Sequence, residues 1–184
     1  MRGLLSRAPG GPETLEVGEL PDPVAGPGEV VVAIKACSIN YPDVLVIEDR
    51  YQFQPPRPFA PGGDIAGIVT EIGAGVTQWR VGDRVMGTVL MGGLAERRAV
   101  SADALYPLPD GRGFEEGAAL LLTYATSIHA LVDRGRVKAG DRVLVLGAAG
   151  GVGLAAVELA KAFGAQVVGA VSSEEKAQAV RDAG

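Results

Sequence analysis

Apolar and polar positions form two different patterns along the chain, with the change near residue 115. Before that point, short runs of β-branched and apolar residues alternate with glycine- and proline-rich segments, which is typical of strands joined by turns. The pattern predicts strands over residues 30–36, 65–72, 83–89 and 94–100. Pro42 opens a short helical turn over residues 43–47, and the prolines of residues 51–61 predict an extended loop.

The second part of the chain alternates between strand and helix patterns. No proline occurs from Ala118 onward, and helices are predicted over residues 115–121, 124–134, 151–163 and 174–182. Strands are predicted over residues 142–146 and 166–171. The β-α-β-α order implies parallel strands joined by right-handed crossovers. The sequence thus predicts an α/β protein with a β-rich domain over residues 1–115 and a parallel-sheet domain over residues 116–184.

Composition and charge exclude several classes of protein. The 184 residues are 47% hydrophobic and 21% charged, which indicates a globular chain and argues against disorder. The 17 basic and 22 acidic residues give a formal net charge of −5 without basic runs. Neither nucleic acid nor an anionic membrane surface is therefore expected as a partner.

Cysteine usage and hydropathy favour a cytoplasmic location. Cys37 is the single cysteine, so the chain can form neither an internal disulfide nor a multi-cysteine metal site. The first eleven residues lack the apolar stretch of a signal peptide. The longest nearly apolar segment, residues 117–132, is interrupted by polar side chains and falls short of the ~20 apolar residues needed to span a bilayer. We therefore expect a cytoplasmic protein without a membrane partner.

A glycine-rich turn over residues 147–153 joins a predicted strand to a predicted helix. It reads Ala148-x-Gly150-x-x-Gly153, with alanine in place of the first glycine of the dinucleotide-binding pattern. Small residues let the backbone approach a pyrophosphate, and the helix N-terminus offers free N–H groups. The cofactor-binding candidates in this turn are Ala149, Gly150, Gly151, Val152 and Gly153. The alternative is a turn that merely packs a helix against a sheet.

The residues after the second strand of this domain indicate which cofactor is preferred. NAD sites usually place an acid there to bond the ribose hydroxyls, whereas this chain has Ser172, Ser173 and then Lys176. Hydroxyls and a cation suit a 2′-phosphate, so NADPH is the predicted cofactor. Glu174 and Glu175 would repel a phosphate if they faced it, but acids are also favoured at a helix start. Alternatively, Ser173 caps the helix and Lys176 is solvated.

Three further segments accompany the turn in a fixed order. Residues 38–43 read Ser-Ile-Asn-Tyr-Pro-Asp, residues 61–67 read Pro-Gly-Gly-Asp-Ile-Ala-Gly, and residues 81–85 read Val-Gly-Asp-Arg-Val. With the turn, they resemble the medium-chain dehydrogenase/reductase superfamily, in its zinc-independent quinone oxidoreductase (zeta-crystallin-like) branch. The resemblance covers nearly the whole chain. It implies a GroES-like catalytic domain followed by a Rossmann domain, with the nicotinamide in the cleft between them.

The resemblance also argues against a catalytic zinc ion. Zinc-dependent relatives carry Cys at the position of Asn40 and His-Glu at the positions of Gly63 and Asp64. Catalytic zinc needs about three strong protein ligands, which an amide and a glycine cannot replace. The cysteine-rich loop for structural zinc is also missing, and Cys37 lies three residues before Asn40. No metal is therefore expected.

The resemblance implies hydride transfer from NADPH to a small molecule, a quinone or another conjugated carbonyl. It nominates Asn40 and Tyr51 as catalytic residues, because donors aimed at the developing oxyanion lower the barrier. Tyr51 could equally be a packing aromatic in its proline-rich loop. Thr126 matches a position that contacts nicotinamide, or its hydroxyl bonds its own helix backbone. Asp43 is interpreted as a turn or cap residue, and His129 as a structural residue.

The chain departs from the resemblance in length, because family members continue well beyond Gly184. We therefore expect the later strands of the Rossmann domain to be absent, and a homodimer is an expectation for a full-length chain. One function class is a reductase of quinones or conjugated carbonyls, with an enoyl-thioester reductase as a close variant. The other is a truncated, non-catalytic chain that binds a dinucleotide or a partner.

Overall fold

The computed structural model describes residues 1–184 as two units, residues 1–119 and residues 120–184. Strands and helices follow one another as expected for the α/β class, which is confirmed. The predicted domain boundary at residue 115 falls inside a helix that spans Phe114–Leu120 and stays a prediction.

The first unit is dominated by antiparallel strands. In chain order its elements are β1 (Arg2–Leu5), β2 (Glu16–Glu19), β3 (Glu29–Ser38), α1 (Tyr41–Ile47), β4 (Asp64–Ile72), β5 (Arg84–Thr88), β6 (Arg97–Ser101), β7 (Leu105–Pro107) and α2 (Phe114–Leu120). Short 3₁₀ turns occur at Pro12–Thr14 and Ala102–Ala104. β1 pairs with β2, and five strands form a sheet in the order β6-β3-β4-β5-β7.

The core of this sheet is built from β-branched side chains, which pack well on a pleated surface. Val30, Val32, Val69 and Val85 are fully buried in it. Trp79 packs against this core, and its indole N–H donates to the carbonyl of Ala102 at 2.8 Å.

The second unit begins with helical turns and continues as a parallel β-α-β-α segment. In chain order it has π-type turns over Leu121–Ala125, α3 (Thr126–Ile128), further π-type turns over His129–Arg134, β8 (Arg142–Leu146), α4 (Gly151–Ala162), β9 (Gln166–Ala170) and α5 (Glu174–Asp182). β8 and β9 pair in parallel from Arg142–Gln166 to Leu146–Ala170, as predicted. Leu144, Leu146 and Val168 are exposed on this sheet.

Two predicted elements differ from the structure. The strand predicted over residues 94–100 begins only at Arg97, because Leu94 and Ala95 pair with residues of β1. The carbonyl of Leu94 accepts from Leu4, and Ala95 bridges to Gly3 of β1. The helix predicted over residues 124–134 is helical but mostly π-type, because the apolar spacing of so short a segment does not distinguish the two helix types.

Candidate functional site

The turn between β8 and α4 packs closely against the start of the helix that follows it. Gly147 has a φ of +64°, in the left-handed region that favours glycine. A Cβ added to Gly153 would lie 2.5 Å from the carbonyl oxygen of Gly147 and 2.8 Å from the Cα of Ala148. Gly153 therefore lets the first turn of α4 lie directly against the turn that precedes it.

Ala148 occupies the position of the first glycine of the pattern, and the fold makes room for its methyl group. Its side chain is fully buried, and its N–H donates to the carbonyl of Ala170 at 3.2 Å. A Cβ added to Gly169 would lie 3.1 Å from the Cβ of Ala148. Gly169 was not predicted as part of the site, although a glycine inside a strand often marks such a close approach.

The first turn of α4 supplies unpaired backbone donors. Gly150 precedes the helix, and its carbonyl accepts from Leu154 at 2.8 Å, the first bond of the helix. The N–H groups of Gly151, Val152 and Gly153 therefore lie in the first turn, where an α-helix has no internal acceptors. This end of a helix also carries partial positive charge, and both features favour an anion.

The turn and the end of β9 line one crevice with a volume of about 470 Å³. Ala149 and Gly150 line it from the turn, and Ser172 and Lys176 line it from the other side. The crevice lies at the carboxyl ends of two parallel strands, which is where open α/β sheets bind ligands. Four of the predicted cofactor residues are thus brought together.

The residues after β9 divide into two roles. The ammonium of Lys176 donates to the hydroxyl of Ser172 at 3.1 Å, so a cation and a hydroxyl lie side by side at the crevice. Ser173 caps α5, and its Oγ accepts from the backbone N–H of Lys176 at 3.4 Å. Glu174 forms an ion pair with Arg181 along α5 and does not line the crevice.

Thr126 is exposed on α3 and does not line the crevice. Its neighbour Ser127 is fully buried, and the Ser127 hydroxyl donates to the carbonyl of Val152 at 2.9 Å. This bond attaches α3 to the first turn of α4. Sequence reasoning missed Ser127, whose signal is a small polar residue inside a largely apolar helical segment.

Asn40 lies at the N-terminus of α1, and protein acceptors hold its amide. The Asn40 side-chain nitrogen donates to the hydroxyl of Ser38 at 2.9 Å and, over 3.5 Å, to a carboxylate oxygen of Asp64. Asp64 is only 2% exposed, and its other carboxylate oxygen accepts from the Thr88 hydroxyl at 2.7 Å. A substrate oxygen would therefore have to compete with Ser38 or Asp64 for the Asn40 amide.

Asp43 is the third residue of α1 and forms a capping box with the N-cap residue Asn40, in line with its interpretation as a turn or cap residue. Its carboxylate accepts from the N–H of Asn40 at 2.7 Å and from that of Gly62 at 3.2 Å. Burial raises the pKa of Asp43, although these backbone N–H groups counteract the rise. Burial, followed by the charges of Asp43 and Asp64, raises the pKa of Cys37 to about 12, so its thiol stays protonated near neutral pH.

Tyr51 and His129 have different environments. Tyr51 is half-buried and packs against a cluster formed by Val46, Ile47 and Phe59. His129 is exposed, and its ring bonds the carboxylate of Asp133 at 2.8 Å, one turn along the helix.

Two further observations concern metals and membranes. No group of three or more His, Cys, Asp or Glu side chains in residues 1–184 is arranged to hold a metal ion. None of the helices has the length and hydropathy of a membrane span.

Comparison with known proteins places both units in one family. Residues 26–110 match the alcohol dehydrogenase GroES-like domain. A quinone oxidoreductase of Mus musculus is 39% identical over 168 residues, which are 90% of this chain and 51% of that protein. A mycocerosic acid synthase-like polyketide synthase of Mycobacterium tuberculosis is 41% identical over 178 residues, which are 97% of this chain and 8% of that protein. The chain spans about half the length of the curated quinone oxidoreductases it matches.

Solved structures agree with this placement across the whole chain. The Escherichia coli quinone oxidoreductase complexed with NADPH has a TM-score of 0.95 and 34% identity, and the match covers 100% of this chain and 56% of that one. A probable oxidoreductase from Mycobacterium abscessus has a TM-score of 0.94 and 38% identity, with 100% of this chain and 59% of that one covered. Together with the glycine turn and the GroES-like sheet, these matches show that the chain belongs to the medium-chain dehydrogenase/reductase superfamily, in its quinone oxidoreductase branch.

Proposed function

We propose that the chain belongs to an oxidoreductase that transfers hydride from NADPH to a quinone or another conjugated carbonyl. The observation that carries this proposal is the crevice at the carboxyl ends of β8 and β9. It combines the start of a helix with a hydroxyl and an ammonium group from Ser172 and Lys176.

The crevice fits the two phosphate-bearing parts of NADPH. The small residues Ala149 and Gly150 allow a diphosphate to approach the first turn of α4, and the closely packed Gly153 fixes that turn. Ser172 and Lys176 would hold the 2′-phosphate, which NADH lacks. Bound NADPH would supply the hydride. Thr126, next to the buried Ser127, is proposed to contact the nicotinamide.

Asn40 and Tyr51 are proposed to contact the substrate. The Asn40 amide reaches Asp64 only over 3.5 Å, so this N–H is the one that can turn to a substrate oxygen. The shorter bond to Ser38, at 2.9 Å, keeps the amide in place. The phenol of Tyr51 could donate a second hydrogen bond or a proton to that oxygen.

The cofactor preference is tested by reversing the charge at Lys176. Lys176→Glu is expected to weaken NADPH binding at least tenfold, because a charge-assisted bond is lost and a repulsive charge is gained. NADH binding should change much less. Fluorescence titration of both dinucleotides measures this, with Lys138→Glu, an exposed lysine of the same unit outside the crevice, as the matched control. Equal losses for NADPH and NADH would remove the NADPH assignment.

The reaction is tested by NADPH oxidation with a simple quinone. Turnover that falls in Tyr51→Phe supports the quinone reductase proposal. No turnover with quinones, enones or an enoyl thioester, together with NADPH binding, would leave only a non-catalytic dinucleotide-binding chain.

A second candidate is an enoyl-thioester reductase, which the 41% identity to the polyketide synthase favours. Crotonyl thioester as the acceptor distinguishes the two. Turnover with this thioester but not with quinones would replace the first proposal with the second.

A further inference from the structure

A second cavity lies in the first unit, and none of the predicted site residues lines it. Its volume is about 250 Å³. Phe59, Met91 and Leu20 contribute apolar walls, and β6 contributes Arg97 and Arg98. The cavity thus combines an apolar surface with two guanidinium groups.

Arg98 has no partner for its charge. The side chain is half-buried, and its Nε is enclosed by protein without a hydrogen-bond acceptor. No carboxylate among residues 1–184 forms an ion pair with Arg98, whereas Arg97 lies 3.9 Å from Asp22. A buried N–H group is normally paired with an acceptor, and a partly buried cation is stabilised by a counter-charge, because both lose contact with water. An anion from outside the chain would supply that counter-charge.

The backbone beside Arg98 is shaped around its side chain. Gly92 has a φ of +95°, and a Cβ added there would lie 2.8 Å from the Arg98 Cδ and 2.9 Å from the Arg98 Nε. The N–H of Gly92 donates to the carbonyl of Ala60 at 2.8 Å, which fixes the loop. Gly92 therefore leaves the space in which the Arg98 guanidinium lies along the cavity.

We infer that this cavity binds a small apolar carboxylate, with its carboxylate on Arg98 and its hydrocarbon part against Phe59 and Met91. The planar guanidinium fork matches the two oxygens of a carboxylate. The apolar walls favour burial of a ring or short chain, and the volume lies below the ~300–1,000 Å³ typical of drug-sized ligands. Phosphate suits the cavity less, because the other cations of its lining, Arg97 and the terminal ammonium of Met1, both lie near the carboxylate of Asp22.

The test compares benzoate with its neutral isostere benzamide on the 184-residue chain. Titration calorimetry gives the affinities, and the ¹³C-labelled methyl group of Met91 reports the location by NMR, with the Met86 methyl in β5 as an internal reference. Benzoate should bind at least tenfold more tightly than benzamide and shift the Met91 signal. This comparison uses the unmodified chain, so it tests carboxylate binding even if substitution of Arg98 impairs folding.

Variants then test whether Arg98 supplies the positive charge that binds benzoate. Arg98→Gln should weaken benzoate binding at least tenfold, whereas Arg80→Gln, an exposed arginine of the same unit outside the cavity, should leave it unchanged. Lys176→Gln should also leave it unchanged, which separates this cavity from the dinucleotide crevice. Equal affinities for benzoate and benzamide, wild-type affinity in Arg98→Gln, or displacement of benzoate by an equal concentration of inorganic phosphate would each overturn the inference.

Discussion

Replacing Gly153 with alanine tests how closely α4 is packed against the turn that precedes it. The new Cβ would lie 2.5 Å from the oxygen of Gly147 and 2.8 Å from both the Cα and the oxygen of Ala148. These are backbone atoms, so no side-chain rotation can relieve the contacts. The start of α4 must move away from the turn, and overpacking of this kind costs about 1–3 kcal/mol.

Amide hydrogen exchange of β8 and α4 measures this cost. A loss of about 1–3 kcal/mol corresponds to roughly 5- to 150-fold faster exchange of the amides that open with this segment. Trp79 is the single tryptophan and lies in the first unit, so its fluorescence during urea unfolding reports whether that unit keeps its stability.

Gly150→Ala is the matched control. A Cβ at Gly150 would meet only the Gly147 oxygen, at 3.5 Å, and the residue has a φ of −80° that alanine readily adopts. Its cost should stay below about 1 kcal/mol, the price of a poorer helix cap. The methyl group would nevertheless stand in the crevice, so NADPH affinity should fall without a matching loss of stability. Wild-type exchange in Gly153→Ala, or a larger destabilisation by Gly150→Ala, would refute the packing argument.

Three further variants test single interactions. Thr88→Val removes the hydroxyl that bonds Asp64 and should lower the unfolding free energy of the first unit by about 1–3 kcal/mol in urea, and an unchanged value would contradict it. Ser127→Ala loses the bond to Val152 and should speed exchange at the start of α4 roughly fivefold, for a loss of about 1 kcal/mol, whereas unchanged exchange would exclude that role. The pKa of Cys37 rises from 9.0 to about 12, so its thiol stays protonated in the folded state while an unfolded thiol ionises. Stability should therefore fall as pH rises from 9 toward 12, and fall less in Cys37→Ser; equal pH profiles in urea would be inconsistent with this shift.

The sequence predicted those elements whose periodicity is long enough to identify them. The β8-α4-β9-α5 segment was found because apolar strands and a helical repeat alternate there, with glycines at the turns. β1, β2 and β7 were not found, because each has only three or four residues. β1 and β2 pair with each other, with Arg2 opposite Glu19 and Leu5 opposite Glu16. They are recognised by this pairing, because neither has an apolar pattern of its own.

The predicted cofactor residues differ in the kind of sequence signal that identified them. Gly153 was found through a steric requirement that is local in sequence, and the structure shows that requirement directly. Ser172 and Ser173 are the same residue type at adjacent positions, yet one lines the crevice and the other caps α5. Only the backbone geometry at the start of α5 distinguishes a capping serine from one that faces a ligand.

Asn40 illustrates a dependence that no local pattern contains. Its ability to donate to a substrate depends on Asp64, 24 residues away, whose carboxylate is held by the Thr88 hydroxyl a further 24 residues along. Without the Thr88 bond, Asp64 would compete more strongly for the Asn40 amide, because a buried carboxylate is destabilised when it loses a hydrogen-bond donor. Thr88→Val should therefore lower turnover with quinone as well as stability, while NADPH affinity, which is assigned to crevice residues of the second unit, stays unchanged. A loss of stability with unaltered turnover would show that Asp64 does not control the Asn40 amide.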